Sequence, residues 1–142
     1  MAVSAPDYVS LSETMQFHQI IVSTSFRANI LIVCDGVTVN SVVDELRLLH
    51  TAGWYGCRIP GVLDTPSVGY RTVLLYDVSQ LTVLQQIALS DWLALGRGRS
   101  RVISVSQVSL FDRVESGGFL EGLYYRLNTV TVRASRGNGW QR

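Results

Sequence analysis

The residues whose types and spacing could do chemistry are arginines. Arg97, Arg99 and Arg101 alternate directly after an apolar segment, so an extended backbone would project their side chains to one side. More arginines follow from Gly122 to the C-terminus, where no acid occurs. Guanidinium groups form flat, bidentate contacts with phosphate. We therefore expect a patch that binds RNA or lipid phosphates; the alternative is a solvated loop and a frayed tail. The expected patch consists of Arg97, Arg99, Arg101, Arg133 and Arg136.

Other kinds of active site have less support. Cys34, His50 and Asp44 could be assembled into a nucleophile site, but a histidine at a helix end is more typical of capping or of the core. The glycines of Gly96-x-Gly98 follow a helix, whereas a phosphate loop precedes one. The two cysteines and two histidines are too few and too scattered for a zinc site. We expect no enzymatic activity, no cofactor and no metal.

Composition indicates one folded domain with a real core. The chain has 142 residues, of which 47% are hydrophobic and 16% charged, and its formal net charge is +1. All twelve basic residues are arginine. Binding to a polyanion must therefore depend on where the charges lie rather than on their sum. Neither a signal peptide nor a transmembrane segment is expected, because no apolar stretch is long and uncharged enough.

The elements that must position these arginines are two helices and several strands. Asn40 is a good N-cap for a helix over about 40–51, and a second, largely apolar helix is expected over about 80–95. Residues 101–114 and 119–135 show alternation that changes phase, which is typical of a long, bent hairpin. The predicted fold is α+β: a β-rich single domain with a bent antiparallel sheet or sandwich and two main helices.

The apolar helix over 80–95 also suggests a contact between subunits. It carries one charged residue, so it is either sandwiched in the core or covered by a partner. We expect an oligomer interface that contains Leu84, Ala88 and Trp92. Around this helix, the expected organisation is an extended N-terminal arm over 1–14, a globular domain over 15–134 and a basic tail over 135–142.

Three short motifs resemble a viral family. The opening SAPDYVSLSE (4–13), SQVSLFDRV (106–114) and YYRLNTV (124–130) are similar to the matrix proteins of non-segmented negative-strand RNA viruses. The short bornavirus matrix proteins are the most similar, and TAGWYGC (51–57) is similar to a rhabdovirus matrix segment.

The resemblance implies a structural protein that self-associates into a layer and bridges the membrane inner face and the ribonucleoprotein. The implied partners are further copies of the chain, viral RNA or nucleoprotein, and an anionic membrane surface. The implied location is the virion, and the host cytoplasm or the inner membrane face. The alternative is a small capsid, tail or accessory adaptor of another virus or phage, which acts only through protein–protein contacts.

Overall fold

The computed structural model describes residues 8–11, 28–49, 54–59, 72–94 and 101–135. Six strands lie in this part of the chain. They are β1 (Tyr8–Leu11), β2 (Ile30–Asp35), β3 (Trp54–Cys57), β4 (Thr72–Leu75), β5 (Arg101–Ser106) and β6 (Val130–Ser135). The helices are α1 (Val39–Leu49), α2 (Val83–Ala94), α3 (Leu110–Glu115) and α4 (Glu121–Leu127), with a 3₁₀ turn at Val78–Gln80.

All six strands pair in parallel, in the order β1-β6-β2-β5-β4-β3. Ile30 of β2 is paired with Ile103 of β5 on one side and Val130 of β6 on the other. The central strands β2 and β5 are almost entirely buried. Continuous burial of this kind is typical of parallel strands, because helices cover both faces of the sheet.

Each face of the sheet has its own apolar core. Alternate β2 residues point to opposite faces, so Ile30 and Ile32 belong to the core that includes Val42 and Leu46 of α1. Leu31 and Val33 belong to the other core, which contains further strand residues and the buried side chains of α2, α3 and α4. Helix α1 therefore covers one face, and the other three helices cover the opposite face.

The α+β class is confirmed, and so are two helices close to 40–51 and 80–95. The antiparallel sheet or sandwich is wrong, because every strand pair is parallel. The bent hairpin is wrong as well, because α3 and α4 lie between β5 and β6. The change of phase in the apolar pattern came from helical spacing: Leu123, Tyr124 and Leu127 are buried, whereas Tyr125 is exposed.

The predicted domain boundaries stay a prediction. Tyr8–Leu11 of the expected arm form β1 and pair with β6, and most of the expected tail, 136–142, lies outside the described residues. Among the helices that the structure describes, none has the length and apolar character needed to cross a bilayer.

Candidate functional site

The candidate site lies where the carboxyl ends of the parallel strands meet. In open parallel sheets this edge is the usual place for ligands. Asp35 ends β2, Asp77 follows β4 and Gln107 follows β5, so the topology gathers polar residues from distant parts of the sequence. A cavity of about 370 Å³ opens here. Its walls include Val33, Cys34, Asp35, Phe111, Asp112 and Arg133.

The loop between β2 and α1 is a strand–loop–helix connection. It turns at Gly36, whose φ of +76° favours glycine. Thr38 then caps the helix: the Ser41 N–H donates to its Oγ1 at 3.1 Å, and the Val42 N–H donates to its carbonyl at 3.2 Å. The N-cap predicted at Asn40 is therefore wrong, because the helix already begins at Val39.

The side-chain amide of Gln107 fits into this loop. Its Oε1 accepts a hydrogen bond from the Val39 N–H at 3.0 Å, and its Nε2 donates to the Val37 carbonyl at 3.0 Å. The backbone N–H of Gln107 donates to Asp77 Oδ1 at 3.3 Å. One residue therefore connects the ends of β2, β4 and β5.

Asp77 organises the end of β4 and affects a buried thiol. Its Oδ1 accepts hydrogen bonds from the Ser79 N–H at 3.3 Å and from the Ser79 hydroxyl at 2.7 Å, which caps the 3₁₀ turn. Burial, together with the smaller effect of the negative charge of Asp77, raises the pKa of Cys34 to about 12. The Cys34 thiol is therefore neutral and is a poor nucleophile at physiological pH.

Two carboxylates and one guanidinium, those of Asp35, Asp112 and Arg133, line the cavity. Arg133 Nη1 lies 3.5 Å from Asp35 Oδ2, and both side chains are about half exposed. An exposed ion pair of this kind contributes little to stability, but it commits the Arg133 guanidinium to a carboxylate.

A second cluster surrounds Tyr76. The Arg47 guanidinium donates a hydrogen bond to the Tyr76 hydroxyl. The Arg58 guanidinium carbon lies 4.7 Å from the centre of the same ring. Gly56 allows this ring to approach the backbone, because a Cβ at that position would lie 3.3 Å from the ring.

The expected arginine patch is only partly within the described residues. Arg97, Arg99 and Arg136 lie outside them. Arg101 is buried at the start of β5, and burial lowers its pKa. Arg133 lies near the other end of the sheet. The strand registers separate Arg101 from Arg133 by five residues along the strand direction, which is about 16 Å. Arg101 and Arg133 are therefore not brought together, and the patch as a whole stays a prediction.

The predicted interface residues of α2 point in different directions. Leu84 and Ala88 are exposed, whereas Trp92 is buried in the core. Residues four apart on a helix are displaced by about 40° around its axis, since one turn takes 3.6 residues. The step from Leu84 to Trp92 therefore passes from the solvent face to the core face. An interface at this helix stays a prediction.

Gln107, Asp77 and Thr38 were not among the site residues predicted from the sequence. A signal for the loop was present: the apolar run ILIVC ends at Asp35-Gly36, directly before a periodic helix. No local signal could have identified Gln107, because its partners Val37 and Val39 lie 70 and 68 positions away.

The comparisons with known proteins give a family and a fold. The family model described as "Sigma-54 interaction domain" matches residues 62–136, which is more than half of the chain. The structure is similar to NtrX from Brucella abortus in complex with ADP, with a TM-score of 0.62 and 15% identity over 93% of this chain. The same protein in complex with ATP gives a TM-score of 0.59 and 16% identity over 90% of the chain. This chain spans only 38% and 36% of those two NtrX chains. Among curated proteins, none matches it.

These findings overturn the viral interpretation. Two of the matrix-like motifs, 106–114 and 124–130, lie inside the matched region, where they contribute to helices α3 and α4 of a parallel fold. The matrix function and the alternative of a capsid, tail or adaptor protein are therefore both wrong. The partners expected with them, which were a layer of further copies, viral RNA or nucleoprotein and an anionic membrane, are overturned by the same match.

The expected location and the expected lack of activity are corrected too. A location in the virion or at the membrane inner face depended on the viral interpretation, which the family match removes. The prediction that the protein is not an enzyme is wrong by the same findings: it followed from a search for familiar local motifs, and NtrX was solved in complex with ADP and with ATP.

Proposed function

Because the chain belongs to the Sigma-54 interaction domain family, we propose that it regulates transcription by binding sigma-54 directly. The observation that carries this proposal is an exposed apolar surface on α2, inside the matched region. We call it the α2 stripe and define it as Val83, Leu84, Ile87 and Ala88.

The α2 stripe is unusually apolar for a solvent-facing helix. The exposed fractions are 60% for Val83, 78% for Leu84 and 44% for Ile87. Three large aliphatic side chains within little more than one turn form a contiguous patch. Such patches on soluble domains mark sites of protein contact.

The charge of α2 favours a protein partner over a nucleic acid. Asp91 is the one charged residue of Val83–Ala94. Phosphate backbones are bound by clustered basic side chains, and α2 contains none. The stripe suits an apolar protein surface such as a groove or the face of a helix.

The opposite side of α2 holds the stripe in place. Leu89 and Trp92 are buried in the core, and buried Gln86 bonds to the segment that precedes α4. The stripe is therefore presented on a helix that is already packed, which lowers the entropic cost of binding.

The similarity to NtrX also raises the question of a nucleotide. Phosphate loops of the strand–loop–helix kind use the pattern GxxxxGK[ST], in which backbone N–H groups and a lysine hold the phosphates. Aligned on Ser41, that pattern would place its glycines at Cys34 and Val39 and its lysine at Asn40. The whole chain contains no lysine, and Val39 is buried in the core beneath the loop. The residues of the β2–α1 loop do not fit nucleotide phosphates, so the proposed function includes no step through them.

Binding of purified sigma-54 tests the proposal. We expect direct binding by biolayer interferometry, and a loss of affinity of at least about 10-fold for Leu84→Glu, because burial of one leucine contributes about 1.5–3 kcal/mol. Val108→Glu is the matched control, since Val108 is also an exposed aliphatic residue but lies between β5 and α3.

The outcomes separate the partner from the surface. Both variants should keep the wild-type melting temperature, because both side chains are exposed in the folded protein. If the wild-type protein does not bind sigma-54, the proposed function is wrong. If it binds and Leu84→Glu binds equally well, sigma-54 remains the partner but the α2 stripe is not its contact.

A further inference from the structure

We infer that the amide of Gln107 takes the place of a phosphate in the β2–α1 loop, so that this loop is held in its folded shape without a nucleotide. The inference does not depend on the sigma-54 proposal, because it concerns the β2–α1 loop and not the α2 stripe. It rests on the hydrogen bonds of the loop, on its side chains and on the charges around it.

Several N–H groups at the start of α1, where a phosphate would bind, already have partners. A helix begins with N–H groups that lack intrahelical acceptors, and these bind anions in phosphate loops. Here the Val39 N–H donates to Gln107 Oε1 and the Ser41 N–H donates to Thr38 Oγ1. The Val42 N–H donates to the Thr38 carbonyl. Three N–H groups at the start of α1 therefore have acceptors within the chain.

Gln107 is held in the orientation that this role requires. An amide has one acceptor end and one donor end, and both are used: Oε1 faces the Val39 N–H, and Nε2 faces the Val37 carbonyl. If the amide were flipped, its Nε2 would face the Val39 N–H, donor against donor, and its Oε1 would face the Val37 carbonyl, acceptor against acceptor. The backbone bond from Gln107 to Asp77 fixes the position of the residue from behind.

The surroundings disfavour an anion. Asp35 and Asp112 line the adjoining cavity, and Asp77 lies behind Gln107. The described cation in that cavity, Arg133, is paired with Asp35. A triphosphate would have to displace the hydrogen-bonded Gln107 amide and then face the carboxylates of Asp35 and Asp112.

The experiment follows the Val39 amide by hydrogen exchange and the melting temperature by thermal denaturation, with and without MgATP and MgADP. We expect the Val39 amide to be protected in the protein without nucleotide. We also expect neither nucleotide to raise the melting temperature. By comparison, a ligand at about a hundred times its Kd would raise it by roughly 5–15 °C.

Gln107→Ala tests the role of the side chain. We expect its melting temperature to fall by on the order of 5 °C and its Val39 amide to lose protection. Gln80→Ala is the matched control, because Gln80 is exposed, and it should leave both readouts unchanged. Val39 exchange that is equally fast in the wild type and in Gln107→Ala would overturn the inference, and so would stabilisation of the wild type by either nucleotide. Neither result would bear on sigma-54 binding, which is measured separately.

Discussion

Gln86 is a polar residue in the middle of an apolar core, and its removal should destabilise the protein strongly. The side chain is only 2% exposed. Its Nε2 donates to the carbonyls of Leu81 and Gly118, both at 3.3 Å, and its Oε1 accepts from the Leu120 N–H at 2.9 Å. These bonds connect α2 to the segment between α3 and α4.

The expected loss for Gln86→Ala follows from these contacts. A hydrogen bond contributes about 0.5–1.5 kcal/mol net, and a buried group left without a partner costs about 1–3 kcal/mol. Two of the three bonds are long, so we place them at the low end of that range. The free energy of unfolding should fall by about 2–4 kcal/mol, which is a large share of the 5–15 kcal/mol typical of a domain.

Urea denaturation followed by circular dichroism measures this difference. We expect a lower midpoint at an unchanged m-value, because the native fold and its buried surface persist. Gln80→Ala removes the same atoms from an exposed position and should stay within about 0.5 kcal/mol of the wild type. If Gln86→Ala were as stable as Gln80→Ala, the Gln86 hydrogen bonds would not support the fold and the reasoning would be refuted.

Two further predictions concern Cys34 and glycine. Folding favours the neutral Cys34 thiol, so its stabilising contribution to the free energy of unfolding is fully present below pH 9. This contribution is lost as the pH rises towards 12, by at most about 1.4 kcal/mol per pH unit. Between pH 8 and 10 the free energy of unfolding should therefore decline more steeply for the wild type than for Cys34→Ala, and parallel curves would contradict the raised pKa of Cys34. Gly36→Ala should lower the free energy of unfolding by about 1–2 kcal/mol, because φ is +76° although no atom crowds the position. Gly122→Ala, in α4 and equally uncrowded, should instead raise it by about 0.5–1 kcal/mol; equal effects at the two glycines would argue against backbone strain at Gly36.

The elements with local signals were predicted well. Helix α1 shows apolar residues at helical spacing, with Val42 and Leu46 both in the core, and α2 lies within a largely apolar segment that contains one charged residue. Both helices were expected close to where they occur, because helical hydrogen bonds and helical periodicity join residues three or four positions apart.

The segment between β5 and β6 shows where local signals failed. Leu123, Tyr124 and Leu127 have helical spacing, but the aromatic and β-branched residues around them also favour strands. A window of seven residues is too short to separate the two periods when the neighbouring segments are true strands. The helices form here because their apolar side chains cover one face of the sheet, and the position of that face cannot be deduced from the local sequence.

The direction and order of the strands were decided by tertiary structure. An apolar run such as ILIVC can pair in a parallel or in an antiparallel sheet, and the choice depends on connections that cross the whole sheet. The orientation of the 80–95 helix was decided in the same way. Leu84 is exposed and Trp92 is buried, because the Trp92 side of the helix packs against the sheet.

Three features followed from the sequence alone, because neighbouring residues decide them: the α+β class, the positions of α1 and α2, and the largely apolar character of the second helix. Two features depend on residues that are far apart in the sequence, and only the tertiary structure decided them. They are the parallel strand order and the meeting of Asp35, Asp77 and Gln107 at one edge of the sheet. The physical reason is that helix formation is governed by contacts within a turn. Strand pairing and the Gln107 amide bridge instead join segments that the sequence separates by tens of residues.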